Sequence, residues 1–386
     1  MKVLFITSKL EGGAFNFIIN LQGELEDYNV ESVMLYGYGK KGFRDSRAKK
    51  FQASNLTPFW VAIINYLSHK LIGKEILSPG YFMKSRLHKS IEKVDLIHLN
   101  IIHSFSWHYK WLLGSILESK KPVVWTMHDQ WVYTGRCAMP GECVGWKTGC
   151  NPCQDLAAYP SSKIDLITAK SFMKKKSFLI HFSLQPQVRI VSCALWLSKN
   201  LESLGFGNVQ TIHNGIDVGF YRQRRLESTE SSFLFVSRYL DYRLKGNETL
   251  LTQLSEELGN KLTIVGDLPS ERIKKTKAKL IPFTSDKSKF RDLLLHHKNL
   301  VFLSSVDVYS LLALEALASG MRILGLRSDN LIELQKFPNV YVFDSPMELI
   351  HNLSNYFEYT KFDTEDLSQS RMTLEYINLY KSLIEL

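Results

Sequence analysis

Short apolar runs of strand character alternate along this chain with longer segments of helical period, and the alternation restarts halfway. Val3-Leu4-Phe5-Ile6 opens the series, and Phe17, Ile18, Leu21 and Leu25 follow at helical spacing. Further strands read at 32–36, 96–99, 123–126 and 188–192. The second series reads at 233–236, 261–266, 299–303, 322–326 and 340–343. Most of these runs are continuously apolar, the pattern of parallel strands covered by helices on both faces. The expected fold class is therefore α/β, with two doubly wound parallel-sheet domains facing a cleft. Ligands of open parallel sheets sit outside the carboxyl ends of the strands, so residues just after each strand are the ones to inspect.

The chain length of 386 residues allows two such domains, and 45% hydrophobic residues supply a core. The start, Met-Lys-Val-Leu-Phe-Ile-Thr-Ser, has neither the long apolar stretch nor the small-residue cleavage site of a signal peptide. No apolar run approaches the ~18–20 residues of a membrane span. The expected location is cytoplasmic. The net charge of +10 is uneven: residues 40–93 hold twelve Lys or Arg against Asp45, Glu75 and Glu92. Phe51, Phe59, Trp60, Tyr66, Tyr81 and Phe82 are interleaved with them. Cations with aromatics suit an anionic membrane surface, and a solvated basic face is the plainer reading. No nucleic-acid-binding module is present, so nucleic acid is not an expected partner.

Several residues after strands carry chemistry. Ser237 and Arg238 follow Val236, and Lys245-Gly246 opens the next helical run. An Arg and a Lys in one strand-to-helix loop can clamp a diphosphate, the Arg through paired hydrogen bonds. After Val301–Leu303, Asp307 precedes Glu315 by eight positions, and Ala316-Leu317-Ala318-Ser319-Gly320 follows. Glu315 has apolar neighbours on both sides, so its carboxylate needs a partner or a ligand. Two ribose hydroxyls are such a ligand.

Taken together, Arg238, Lys245-Gly246, the Asp307 to Glu315 spacing and the Ala-Leu-Ala-Ser-Gly tail resemble retaining glycosyltransferase family 4, whose fold is GT-B. That fold pairs two Rossmann-like domains. The resemblance implies that Arg238 and Lys245 bind the donor diphosphate, that Glu315 binds the ribose, and that Asp307 lies near the donor sugar. The block from Pro122 through His128-Asp129-Gln130-Trp131, with Thr134-Gly135-Arg136-Cys137 and Trp146 to Cys153, resembles the colanic-acid and exopolysaccharide subgroup. It implies that His128 faces the donor sugar. Gly12 and Gly13 would let backbone approach the donor closely. Ile212-His213-Asn214-Gly215-Ile216-Asp217 marks, by the same resemblance, the start of the second domain. An acceptor-binding domain is thus expected over 1–212, a nucleotide-sugar-binding domain over 213–365, and a helix at about 366–386 returning to the first.

The chain departs from the family pattern where Asp329-Asn330-Leu331-Ile332-Glu333 replaces Gly-Gly-x-Pro-Glu, where Ser310 replaces Gly or Pro, and where Arg322 replaces Pro. These changes bear on the contacts to the donor. His98 and His103 lie near another strand end as candidate cleft residues, and His296-His297 reads as surface. Cys137, Cys143, Cys150 and Cys153 are spaced Cys-x5-Cys-x6-Cys-x2-Cys. In a cytosolic chain, four such thiols are candidates for one structural zinc, with free or reversibly oxidised thiols as the alternative. Cys193 reads as a small buried hydrophobe.

The resemblance implies transfer of a hexose from a UDP- or GDP-sugar to a hydroxyl of a lipid-linked saccharide, with retention and without a catalytic metal. Residues 40–93 would dock at the inner face of the membrane. Two alternatives stand beside it: a nucleotide-sugar epimerase of the same fold, and a non-catalytic binding protein that keeps the fold alone.

Overall fold

A computed structural model describes residues 1–38, 52–73, 75–77, 81–223, 232–240, 248–267, 269–355 and 357–385. Lys245, and residues 40–51 of the basic region, lie outside the described residues. The chain divides into two compact units, Met1–Asn214 with Met372–Leu386, and Gly215–Arg371.

Unit 1 holds a parallel sheet of seven strands: β1 (Lys2–Lys9), β2 (Glu31–Tyr38), β3 (Ala53–Asn55), β4 (Leu96–Leu99), β5 (Val123–Met127), β6 (Val188–Ser192) and β7 (Val209–Thr211). Their order is β3-β2-β1-β4-β5-β6-β7. Every residue of β4 and β5 is buried, which is why those runs are apolar without alternation. The chain leaves β1 for β2 on one side and later returns to β4 on the other. That reversal opens a crevice between the carboxyl ends of β1 and β4.

Unit 2 repeats the plan with six parallel strands: β8 (Phe233–Tyr239), β9 (Leu262–Asp267), β10 (Lys279–Ile281), β11 (Asn299–Phe302), β12 (Arg322–Leu326) and β13 (Val340–Phe343). Their order is β10-β9-β8-β11-β12-β13, so its reversal lies between β8 and β11. The α/β, doubly wound character of both halves is as the sequence leads one to expect. The strands the sequence does not reveal are β3, β7 and β10, three-residue edge strands with no fully buried residue. Short edges give little apolar signal because they have so little to bury.

The last helix, Gln369–Ile384, lays Met372, Tyr376, Ile377, Leu379, Tyr380 and Leu383 into the same core as Val3, Phe5, Phe17 and Val124. Polar bonds fix it there. His98 Nδ1 lies 2.6 Å from the Tyr380 hydroxyl and its Nε2 2.7 Å from Thr126 Oγ1, and Thr126 Oγ1 lies 2.9 Å from the Tyr376 hydroxyl. His98 is therefore a structural residue and not a cleft residue, and burial holds its pKa well below the usual histidine value. His297 likewise proves buried, with Nε2 2.8 Å from Thr263 Oγ1, whereas His296 is exposed. Cys193 is buried as expected. No described helix is long and apolar enough to cross a membrane.

Candidate active site

In unit 2 the chain after β11 runs through a loop into the helix Leu311–Ala318. Ser310 caps that helix, its Oγ accepting from the Ala313 N–H at 3.4 Å. A hydroxyl at this position does what glycine or proline cannot. Asn330 Oδ1 accepts the Ser310 N–H at 3.0 Å, tying the loop after β12 to the loop after β11. Asn330 is buried. Asp329 and Asn330 open a short helix, Asp329–Leu334, capped by Ser328. The loop that departs from the family pattern is thus an ordered scaffold for the Asp307 to Glu315 segment.

Glu315 sits in the second turn of its helix and is half-buried. Tyr221 donates its hydroxyl to Glu315 Oε1 at 2.8 Å. Burial pushes the Glu315 pKa up to about 7, against the lowering effect of the Tyr221 bond and the Lys287 charge. Tyr221 ends the short helix Val218–Tyr221, ninety-four residues before its partner. Nothing in local sequence spacing marks the pair. Asp307 is half-buried in the loop. Arg238 lies at the carboxyl end of β8, exposed, with its guanidinium 5.3 Å from the Tyr239 ring centroid and 5.9 Å from that of Phe283. Both rings lie within cation–π reach of the guanidinium.

Arg322 is placed at the amino end of β12, the edge opposite the Asp307 loop. Its Nε donates to Asn299 Oδ1 at 2.9 Å and its Nη1 to the Phe357 carbonyl. It is a clamp on the segment that leads away from unit 2's last helix, and it stands clear of the donor loop. A cavity of about 480 Å³ also lies at these amino ends, against Lys298, Gly320 and Arg322. Parallel sheets bind their ligands at the other edge, where Arg238 and the Asp307 loop lie.

In unit 1, His128 follows β5. Its Nε2 faces Asn100 Oδ1 at 2.9 Å, and its ring packs edge-on to Phe17 at 4.8 Å. Asn100 Oδ1 only accepts, so Nε2 carries the hydrogen and Nδ1 keeps a lone pair. Burial lowers the His128 pKa to about 4, which keeps the ring neutral. The following loop is pinned by Lys175, whose Nζ donates to the Trp131 and Thr134 carbonyls at 2.6 and 3.1 Å and lies 3.6 Å from the Trp131 ring centroid. Burial brings the Lys175 pKa down to about 7. Gly12 has φ 83°, a conformation that favours glycine, and caps the helix Gly13–Asp27. A side chain at Gly12 or Gly13 would meet no protein atom within 4 Å, so the space above them is open.

The four cysteines are half-buried free thiols. Cys150 Sγ accepts the Gly135 N–H at 3.2 Å, and Cys143 Sγ accepts the Gly145 N–H at 3.4 Å. Burial pushes the Cys137 thiol up to about 11. Among the described residues no three His, Cys, Asp or Glu side chains converge as a metal-holding group. The zinc expectation for Cys137, Cys143, Cys150 and Cys153 therefore finds no geometric support. The four thiols lie in one loop region, where Cys150 interacts electrostatically with Cys137, Cys143 and Cys153.

The fold and the arrangement of these strand ends define a GT-B protein. Its solved likenesses are sucrose-phosphate synthase of Thermosynechococcus elongatus (TM-score 0.63, 12% identity, covering 100% of this chain and 99% of that one) and HepE of Anabaena in complex with UDP (TM-score 0.62, 12% identity, 100% and 98%). The lipopolysaccharide outer core galactosyltransferase WaaB, in its apo form, also aligns (TM-score 0.59, 12% identity, 99% of each chain). In sequence, the chain is 28% identical, over 99% of its length and 100% of the relative's, to WcaC of Escherichia coli (strain K12), named for glycosyl transfer in colanic acid biosynthesis. No family model matches the chain. The chain thus has the GT-B fold and is similar along its length to a protein named as a glycosyl transferase.

Proposed function

We propose that this chain transfers a hexose from a nucleoside diphosphate sugar to a hydroxyl of a lipid-linked saccharide, with retention at the anomeric carbon, in the synthesis of a bacterial surface polysaccharide. The observation that carries the reading is Glu315: a half-buried carboxylate on the helix after β11, oriented by Tyr221. A carboxylate accepts up to about four hydrogen bonds, so one from Tyr221 leaves capacity for both ribose hydroxyls. HepE is described in complex with UDP and with UDP-glucose, which supports a nucleotide sugar as donor. Arg238 and Lys245 would bind the diphosphate and stabilise the negative charge that develops on departure. Asp307 would contact the donor sugar. His128, neutral, would offer a hydrogen-bonding ring edge to a sugar hydroxyl, with Gly12 and Gly13 leaving open space in unit 1. The domain that binds the donor is unit 2, and the domain that binds the acceptor is unit 1.

The membrane part of the proposal rests on the helix Phe59–Ile72. It buries Val61 and Ala62 together with Asn65, Ser68 and His69, and exposes Phe59, Trp60, Ile63, Ile64, Leu67 and Leu71, an apolar face left in solvent. The buried polar groups are served locally: Asn65 Oδ1 accepts the Leu77 N–H, and His69 Nδ1 pairs with Glu75 Oε1 at 2.9 Å. An exposed apolar face of this kind marks an interaction site. Lys70, Lys84, Arg86, Lys89 and Lys93 in the same region make an anionic lipid surface the fitting partner.

The test is turnover of a panel of UDP- and GDP-hexoses by the full chain, with and without a lipid-linked saccharide extract. Nucleoside diphosphate release should depend on the acceptor, and the product should keep the donor's anomeric configuration by NMR. An inverted product would refute retention, and no release from any donor would refute the transferase.

A further inference from the structure

One set of side chains in unit 1 is joined by long-range hydrogen bonds. Lys9 Nζ lies 2.7 Å from the Tyr159 hydroxyl, which lies 2.6 Å from Ser104 Oγ. Ser104 Oγ lies 2.7 Å from His103 Nδ1, and His103 Nε2 lies 2.8 Å from Asp129 Oδ2. Five side chains from positions 9 to 159 thus form one unbroken chain of hydrogen bonds. An ammonium only donates and a carboxylate only accepts, so with a neutral His103 the chain has one consistent direction, from Lys9 to Asp129. Its middle is buried: Ser104 is 0% exposed and the His103 side chain 5%. Its ends reach solvent, with the Lys9 side chain 21% and the Asp129 side chain 16% exposed.

Three further observations place this chain at a ligand site. First, Lys9 ends β1 and Ser104 follows β4, so the chain spans the crevice at the sheet's reversal. Second, Ser104 and Phe105 have φ 82° and 71°, two consecutive non-glycine residues in the left-handed region. Such strain persists only where surrounding bonds over-determine it, and it clusters at ligand clamps. Here Ser106 Oγ donates to the Ser8 carbonyl, Thr57 Oγ1 to the Ser106 carbonyl and Trp107 Nε1 to the Ile102 carbonyl. Third, aromatic rings cluster beside the chain. Phe105 packs against Tyr66 at 5.2 Å and Tyr38 at 6.5 Å, and Tyr66 lies on the exposed helix Phe59–Ile72.

We propose that this crevice holds the acceptor saccharide, that Lys9 and Asp129 bind its ring hydroxyls, and that Tyr159, Ser104 and His103 are positioning residues that fix those two ends. A sugar hydroxyl both donates and accepts, so it answers an acceptor and a donor at once, and aromatic side chains suit the apolar faces of sugar rings. Lys9 is already paired with Glu11 at 3.8 Å, and Asp129 carries its own charge, so the crevice favours a neutral hydroxylated ring over a phosphate. Burial alone would raise the Asp129 carboxyl, but His103, the Trp131 N–H and His128 hold it below the usual range, which keeps it an acceptor. The assignment rests on the reading of the chain as a glycosyltransferase.

The experiment measures binding, so that it stands apart from turnover. The full chain is titrated with octyl β-D-glucopyranoside, octyl β-D-galactopyranoside and inorganic phosphate, and separately with UDP and GDP. At least one hexoside should bind in preference to phosphate. Lys9→Met and Asp129→Asn should weaken it about tenfold or more, and Lys9→Arg should retain it. Tyr159→Phe and Ser104→Ala, which remove single links of the buried middle, should weaken it about threefold while nucleotide affinity stays unchanged. Wild-type indifference to both hexosides, unchanged hexoside affinity in Lys9→Met and Asp129→Asn, or a parallel loss of nucleotide affinity in Tyr159→Phe would each overturn the proposal. Hexoside binding without binding of either nucleotide would support the crevice and overturn the transferase reading instead.

Discussion

The crevice between β1 and β4 and the one between β8 and β11 arise from the same sheet reversal, yet they are furnished in different ways. In unit 2 the two acidic groups, Asp307 and Glu315, lie eight residues apart, with Arg238 and Tyr221 as distant additions. In unit 1 five side chains drawn from four separate loops and strand ends form one continuous chain. A ligand of fixed chemistry, such as a ribose diphosphate, can be met by a compact motif. A ligand that varies from one protein to the next is met by residues that topology gathers, and no spacing reveals them.

The largest effect expected from this comparison is at Glu315. Removing a charged acceptor of two ribose hydroxyls should reduce donor affinity about a hundredfold in Glu315→Ala, with hexoside binding in unit 1 untouched. Loss of both together would erase the distinction between the two crevices. Tyr221→Phe leaves the Glu315 carboxylate in place without its orienting donor and should weaken the donor about tenfold. Equal affinity in that variant would show that Tyr221 serves packing alone.

The pH dependence sharpens the same point. Glu315 holds its proton up to about pH 7, above its unexceptional value of 4.5. Stability gained from that raised value is complete below about 4.5 and lost as pH rises through about 7. Hydroxyl donors need the ionised form, so donor affinity should increase with pH across the same interval, and Glu315→Gln should flatten the profile.

A smaller effect separates the two edges of unit 2. Arg322→Ala removes charged bonds to Asn299 and to the Phe357 carbonyl and should lower stability by about 1–3 kcal/mol, measured by denaturant titration, with donor affinity unchanged. A donor defect would mean that the amino edge matters to the site. Smallest in stability terms is the exposed helix: Trp60→Glu with Leu67→Glu should shift folding by less than about 1 kcal/mol, since both side chains are already in solvent. The same pair should abolish sedimentation with anionic vesicles, and undiminished sedimentation would remove the membrane from the account.

How much of this was legible in the sequence follows from where the information lies. The doubly wound plan shows in runs such as Val123-Val124-Trp125-Thr126, because a strand buried on both faces must be apolar throughout. Glu315 shows because a carboxylate among Leu314, Ala316 and Leu317 needs a reason. Tyr221, Tyr159 and Lys9 do not show, because their partners are long-range and each alone is an ordinary surface residue. His98 misled for the converse reason: it sits at a strand end like a site residue, but the last helix covers it with Tyr376 and Tyr380.

The central claim, that unit 2 binds a nucleotide sugar through Glu315, is tested most directly by calorimetric titration of wild type and Glu315→Ala with UDP- and GDP-hexoses. The account predicts that wild type binds at least one of them and that Glu315→Ala loses about two orders of magnitude in affinity for it. Equal affinity in the two proteins, or no binding of any nucleotide sugar by wild type, would contradict it.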